Sequence, residues 1–270
     1  MRAVEGHIPF RGYETWYRDV GPEDSVPLLC LHGGPGSTHY YFEPLEELGR
    51  RVVLYDQLGC GNSSRPDDPD LWTLELFLEE VQAVRDALGL ERIHLLGTSW
   101  GAMLALEYVL GRPAGLVSLT LNAPPTAAKT WAAEAARLRA PLVEDEAVAE
   151  EEFSRLHVCR LDPLPDFVAR GRAGRNKQVY EAIWGRQEWA PTGQLREWDV
   201  RARLSEIDLP TLITSGRYDM CTPALAEEAQ RLIPGAERAL FEESSHTAFV
   251  EEPERFRAVL ADFLGRAEAG

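Results

Sequence analysis

Short apolar runs alternate along this chain with longer stretches whose apolar positions recur every three or four residues. The first kind suits strands buried on both faces of a parallel sheet, and the second suits helices laid across it. The runs at 27–33, 51–57, 92–98, 116–122, 211–216 and 238–243 are predicted strands. Between them, residues 73–89 put Leu74, Phe77, Leu78, Val81, Val84 and Leu88 on one helical face. Residues 101–111 follow a strand directly and stop at Gly111 and Pro113; residues 253–267 form a last helix with Pro253 in its first turn. Segment 11–21, rich in Tyr, Trp and Val, predicts an antiparallel start to the sheet. The predicted class is α/β, a mostly parallel central sheet flanked by helices.

The alternation breaks between Pro124 and Asp208. There the strand pattern vanishes, and 131–140, 144–157 and 177–185 read as helices separated by turns at Pro141, Pro163, Pro165 and Pro191. The expected organisation is a core formed by 1–123 and 206–270, with 124–205 inserted as a helical cap.

Composition narrows the function classes. A length of 270 residues with 44% hydrophobic content supports a substantial core. Twenty-eight basic against forty-four acidic residues give a net charge of −16, which disfavours nucleic-acid and anionic membrane partners. No run approaches the roughly 18 apolar residues of a membrane span, and the opening residues lack the apolar stretch of a secretory signal, so a cytoplasmic protein is expected. Cys30, Cys60, Cys159 and Cys221 are widely spaced, which predicts free thiols. Without a motif such as H-E-x-x-H, neither metal nor other cofactor is expected.

The most informative stretch is Gly97-Thr98-Ser99-Trp100-Gly101, set between a predicted strand and a predicted helix. G-x-S-x-G in that context is a sharp turn that lifts a serine hydroxyl clear of the sheet, and its glycines answer to crowded backbone. Serine needs a base, and the base needs an acid to fix its tautomer. Among six histidines, His94 lies inside an apolar strand and reads as a core residue. His7 is in the amino-terminal segment, His157 is in the insert, and His32 and His39 flank a glycine-rich turn. His246 follows the last strand, and Asp219 follows the strand before it, which gives the chain order nucleophile, acid, base. Asp208 precedes its strand and sits at the wrong end. The backbone N–H of Trp100 and one from Gly33 or Gly34, in the turn His32-Gly33-Gly34-Pro35-Gly36, are the expected oxyanion donors. A cis bond before Pro35 fits such a turn. The turn lacks the G-x-x-x-x-G-K of a phosphate cradle.

These residues together resemble the proline iminopeptidase family of α/β-hydrolases: HGGPG at 32–36, D-Q-x-G-x-G-x-S from Asp56 to Ser63, GTSWGAMLALEY at 97–108, GRYDM at 216–220 and SHTAFVEEP at 245–253. The resemblance implies Ser99 as nucleophile, His246 as base, Asp219 as orienting acid, and release of an amino-terminal residue, often proline, from short peptides. The insert resembles the cap of the tricorn-interacting aminopeptidase branch, which implies that Glu188 binds the free amine of the substrate, with Tyr180, Trp184 and Trp189 as pocket walls. Two features depart from the pattern: Met220 stands where that branch has an acidic residue, and the chain, shorter than the longer bacterial proline iminopeptidases, lacks an evident counterpart of their second cap glutamate motif. A carboxylesterase or amidase using the same triad is the competing expectation, separated from the first by the amine-binding carboxylate alone. A non-enzymatic scaffold would have lost a triad member, and all three are present.

Overall fold

The computed structural model describes residues 2–142 and 145–269. Among the described residues eight strands form one sheet: β1 (Ala3–Phe10), β2 (Tyr13–Val20), β3 (Leu28–Leu31), β4 (Val52–Tyr55), β5 (Ile93–Thr98), β6 (Leu116–Asn122), β7 (Thr211–Gly216) and β8 (Glu237–Phe241). Their spatial order is β1-β2-β4-β3-β5-β6-β7-β8. Neighbours from β4 to β8 run parallel, whereas β1 and β2 pair antiparallel with each other and β2 pairs antiparallel with β4. All six runs predicted as parallel strands are present, one or two residues shorter at some ends. The antiparallel start is longer than segment 11–21 indicates. β1 also belongs to it, an edge strand whose half-exposed side chains carry a weak apolar signal.

Helices α1 (Leu74–Ala87), α2 (Trp100–Leu110), α7 (Pro223–Leu232), α8 (Ala248–Glu251) and α9 (Pro253–Ala269) accompany the sheet. α1 starts where the Thr73 hydroxyl accepts from Leu76 N–H, and it buries Phe77, Val81 and Val84, as its periodicity predicts. Phe77 meets the indole of Trp100 edge to face at 5.6 Å, so the crossover helix packs against the base of α2. α7 was not anticipated from the sequence, although Pro223 at its first position and the buried Leu225, Ala226 and Ala229 mark it.

After Asn122 the chain leaves the sheet and returns at Thr211. Between lie α3 (Ala128–Arg139), α4 (Glu146–His157), α5 (Asp166–Ala173), α6 (Lys177–Ile183) and two 3-10 segments, Gln194–Glu197 and Arg201–Glu206. The helix predicted at 144–157 begins at Glu146; Glu144 lies outside the described residues. The four cysteines are free and buried. Among the described residues no helix is long and apolar enough to cross a membrane.

Candidate active site

Ser99 sits between β5 and α2 with φ 59° and ψ −122°, a conformation that costs a serine on the order of 1–3 kcal/mol and persists only where its surroundings hold it. The surroundings are backbone. A side chain on Gly97 would collide with the Gly101 carbonyl, and one on Gly101 would collide with the Leu31 carbonyl. The motif glycines are thus required by close approach of β5, α2 and β3. As the first residue of α2, Trp100 has a backbone N–H with no intrahelical acceptor, and the positive end of the helix dipole lies at Ser99.

His246 lies on the loop between β8 and α8, and Asp219 lies beyond the end of β7. His246 Nδ1 and Asp219 Oδ1 are 2.7 Å apart, both residues being buried, and Asp219 Oδ1 also accepts from Cys221 N–H at 2.7 Å. Burial pulls the imidazole downward, but the charge and hydrogen bond of Asp219, with Glu188 and Glu251 adding to them, hold its pKa above the ordinary histidine value. Ser99 and His246 open on the same cavity of about 870 Å³. Among the described residues no hydrogen bond joins their side chains; such contacts commonly tighten only when substrate is bound.

One buried side chain that sequence reasoning missed links these segments. Asn122, at the end of β6, donates from Nδ2 to Thr98 Oγ1 (2.8 Å) and to the His246 carbonyl (3.1 Å), while its Oδ1 accepts from Thr214 Oγ1 (2.9 Å). Its own carbonyl accepts from Ser99 N–H at 3.0 Å. A polar residue ending an apolar strand at the carboxyl edge of the sheet was the available signal.

The HGGPG turn is on the other side of Ser99. The Gly34-Pro35 bond is cis. A side chain on Gly33 would come within 3.1 Å of Ser99 Cβ, which places this backbone against Ser99. The Gly33 N–H donates to the hydroxyl of Tyr41, a residue the sequence did not single out. Gln57, from the D-Q-x-G-x-G-x-S segment, joins this turn to the serine elbow. Its Oε1 accepts from the Trp100 indole (2.9 Å), its Nε2 donates to the His32 carbonyl (2.9 Å), and its backbone N–H donates to His32 Nε2 (3.0 Å). Burial lowers the His32 pKa to about 4, so this ring is a neutral acceptor. His39 is bound to Asp56 at 2.9 Å, and His94 bridges Ser118 and Glu268 at 2.8 Å each, the core role its strand position predicts.

Glu188, Tyr180 and Trp189 line the cavity with Ser99, and so do Phe153, Tyr41 and Met220. Tyr180 donates to Glu188 Oε1 at 2.6 Å. Burial raises the Glu188 pKa, opposed by that hydrogen bond and by the positive fields of His246 and Arg175. Trp184, expected as a pocket wall, stands behind the lining instead. Its indole is buried, packs 5.4 Å from Trp131, and donates to the Glu188 carbonyl at 3.3 Å. The turn that presents Glu188 therefore has Trp184 as its support. Met220 adds an apolar surface to the cavity.

A larger concavity of about 1180 Å³ between β1, β2, the 39–47 segment and α5 contains none of Ser99, Asp219 and His246, and ion pairs Arg18–Glu46 and Arg170–Glu43 lie along it. Among the described residues, no group of three His, Cys, Asp or Glu side chains could hold a metal ion.

The sequence pattern of the α/β hydrolase fold matches residues 26–253. The proline iminopeptidase of Lactobacillus helveticus is 41% identical over 290 aligned positions, covering 98% of each chain, and that of Levilactobacillus brevis is 41% identical, covering 98% of this chain and 97% of its own. Among solved structures, the proline iminopeptidase of Mycobacterium smegmatis aligns with a TM-score of 0.89 at 37% identity, and VinJ with 0.92 at 37%; each alignment covers 98% of this chain and 99% of the other. Near full-length identity of this order, on a sheet of this topology with its serine elbow in place, makes the chain a member of the proline iminopeptidase family of α/β-hydrolases.

Proposed function

We propose that the chain is a cytoplasmic serine aminopeptidase that releases an N-terminal residue, proline or another small or apolar one, from short peptides through an acyl-enzyme. In this reading Ser99 attacks the first peptide carbonyl as His246 takes its proton, and Asp219 holds the imidazole tautomer and stabilises its charged form. The developing oxyanion is met by the Trp100 N–H and by an N–H of the Gly33-Gly34 turn, where one well-placed donor is worth about 3–4 kcal/mol. His246 then gives its proton to the leaving amine, and a water that it activates releases the acid and restores Ser99. The helices of residues 124–205 act as a cap, so access is by short, unfolded substrates.

The observation that carries this reading is Glu188, a carboxylate withdrawn from solvent in the same cavity as Ser99 and close enough to His246 for each to act on the other's charge. In this reading that carboxylate recognises the protonated amine of the residue to be released. Carboxylesterase or amidase chemistry with the same triad has no use for it. The deciding experiment compares a prolyl arylamide with its N-acetyl twin: turnover of the free amine only, abolished by Ser99→Ala, supports the proposal. Equal turnover of both would replace it with the esterase or amidase reading.

A further inference from the structure

Two arginines line the Ser99 cavity without a carboxylate partner. Arg172 is in the last turn of α5 and Arg175 lies just beyond it. Acidic residues are abundant in this chain, and neighbouring arginines use them: Arg170 on the same helix pairs with Glu43 at 2.8 Å, and Arg186 on the cavity rim meets Glu181 at 3.7 Å. Arg172 has instead a 3.1 Å hydrogen bond from Nη2 to Ser154 Oγ, another lining residue. Among the described residues, neither Arg172 nor Arg175 forms an ion pair.

The segment carrying them is fixed relative to the nucleophile. Asn176 N–H donates to the Gly36 carbonyl and Asn176 Nδ2 to the Gly59 carbonyl, both at 2.8 Å, and Arg65 donates to the Gly174 carbonyl. The turn after α5 thus rests directly on the HGGPG loop. Arg172 is half-buried, and burial followed by repulsion from Arg175 holds its pKa below the ordinary guanidinium value. Arg175 is exposed. An anion entering between the two guanidinium groups relieves that repulsion. Arg175 also acts electrostatically on Glu188, Tyr180 and Tyr41 without pairing with the carboxylate. One cavity therefore carries an amine-binding carboxylate and, separate from it, an unneutralised pair of guanidinium groups.

We propose that Arg172 and Arg175 bind the C-terminal carboxylate of a di- or tripeptide whose N-terminal ammonium is held at Glu188. The site then selects short zwitterionic peptides over blocked or longer ones. This rests on the aminopeptidase reading above. Guanidinium suits the task because its planar donors match a carboxylate at two points and keep their charge at any working pH.

The test measures kcat/KM for Pro-Gly, Pro-Gly-amide, Pro-Asp-amide, Pro-Gly-Gly-Gly-Gly and a prolyl arylamide, with the wild type, Arg172→Gln, Arg175→Gln, the double variant and Arg172→Lys. The expected result is a preference of about tenfold or more for Pro-Gly over its amide, expressed mainly in KM, with Pro-Asp-amide behaving like Pro-Gly-amide. The double variant should bring the ratio to within about twofold, and Arg172→Lys, which keeps the charge, should retain part of it. Equal rates on acid and amide in the wild type would overturn the proposal. So would variants that depress both equally, since that would mean Arg175 acts only through Glu188. If Pro-Asp-amide matched Pro-Gly, the carboxylate would belong to a side chain and the C-terminal assignment would fall. Turnover of the prolyl arylamide separates the two levels: if it is cleaved while the acid and amide arms agree, only the arginine assignment fails. If no free-amine substrate is cleaved, the aminopeptidase reading fails instead.

Discussion

Tyr180 and Glu188 share a 2.6 Å hydrogen bond at the wall of the Ser99 cavity, the phenol coming from α6 and the carboxylate from the turn that follows it. Burial raises the pKa of this carboxylate, and the hydrogen bond from the phenol works the other way, favouring the ionised form. Glu188→Gln should therefore lower kcat/KM on free-amine substrates by about 10- to 100-fold, mainly through KM, with a much smaller effect on neutral esters. Tyr180→Phe should act in the same direction but less strongly. Steady-state kinetics on an aminoacyl amide and an uncharged ester series checks this; matched losses on both would remove the amine role.

The pH profile follows from His246. Its pKa is raised above the ordinary value, and a base works only when deprotonated, so activity should rise with pH along an acid limb displaced upward from about 6.5. Asp219→Asn removes the largest raising interaction. It should move that limb downward while cutting kcat by about 10⁴-fold, because the tautomer is no longer held. Glu188→Gln removes a second, weaker raising charge and should shift the limb in the same direction by less. A limb unmoved in both variants would show that another group controls it.

Asn122 has partners on three segments that carry the proposed triad. Asn122→Ala leaves the Thr98 and Thr214 hydroxyls and the His246 carbonyl short of a buried partner, so a loss of about 2–4 kcal/mol in unfolding free energy is expected, with a fall in kcat. Denaturant melts together with kinetics would read both. Unchanged kcat with reduced stability would confine the residue to folding.

Tyr41 occupies the Gly33 N–H and lines the cavity. The expectation is that its own hydroxyl proton turns to the oxyanion once substrate is bound. Tyr41→Phe is expected to reduce kcat by about tenfold or more with KM little changed. A gain in activity would mean that the hydroxyl instead competes with substrate for the Gly33 donor.

Glu80 is a buried carboxyl in α1 that accepts from Leu58 N–H and the Thr15 hydroxyl; burial raises its pKa to about 8. Between the unfolded value near 4.5 and about 8 the folded chain holds the extra proton. The stability this group contributes is full below pH 4.5 and declines as pH rises through that window, by at most about 1.4 kcal/mol per unit. Glu80→Gln should flatten the wild-type fall in Tm between pH 5 and 8. A parallel fall in both proteins would assign the slope elsewhere.

The sequence by itself determined the sheet, the order of its parallel strands in the chain and the serine elbow, because these depend on local periodicity and on glycines that no other residue can replace at Gly97 and Gly101. It also indicated Asp219 and His246, since the loops at the carboxyl ends of parallel strands are the places a sheet of this kind offers to a site. It did not reveal β1, whose half-exposed edge position weakens the pattern, or α7, whose apolar face is short. Tertiary structure alone decided which side chains converge from distant elements. Trp184 turns inward behind Glu188, Tyr41 reaches back to Gly33, Gln57 spans two loops, Asn122 gathers the strand ends, and Arg172 and Arg175 face the cavity without acidic partners. Side-chain direction and long-range pairing follow from how the helices beyond Asn122 settle on the sheet, and local periodicity carries no record of that packing.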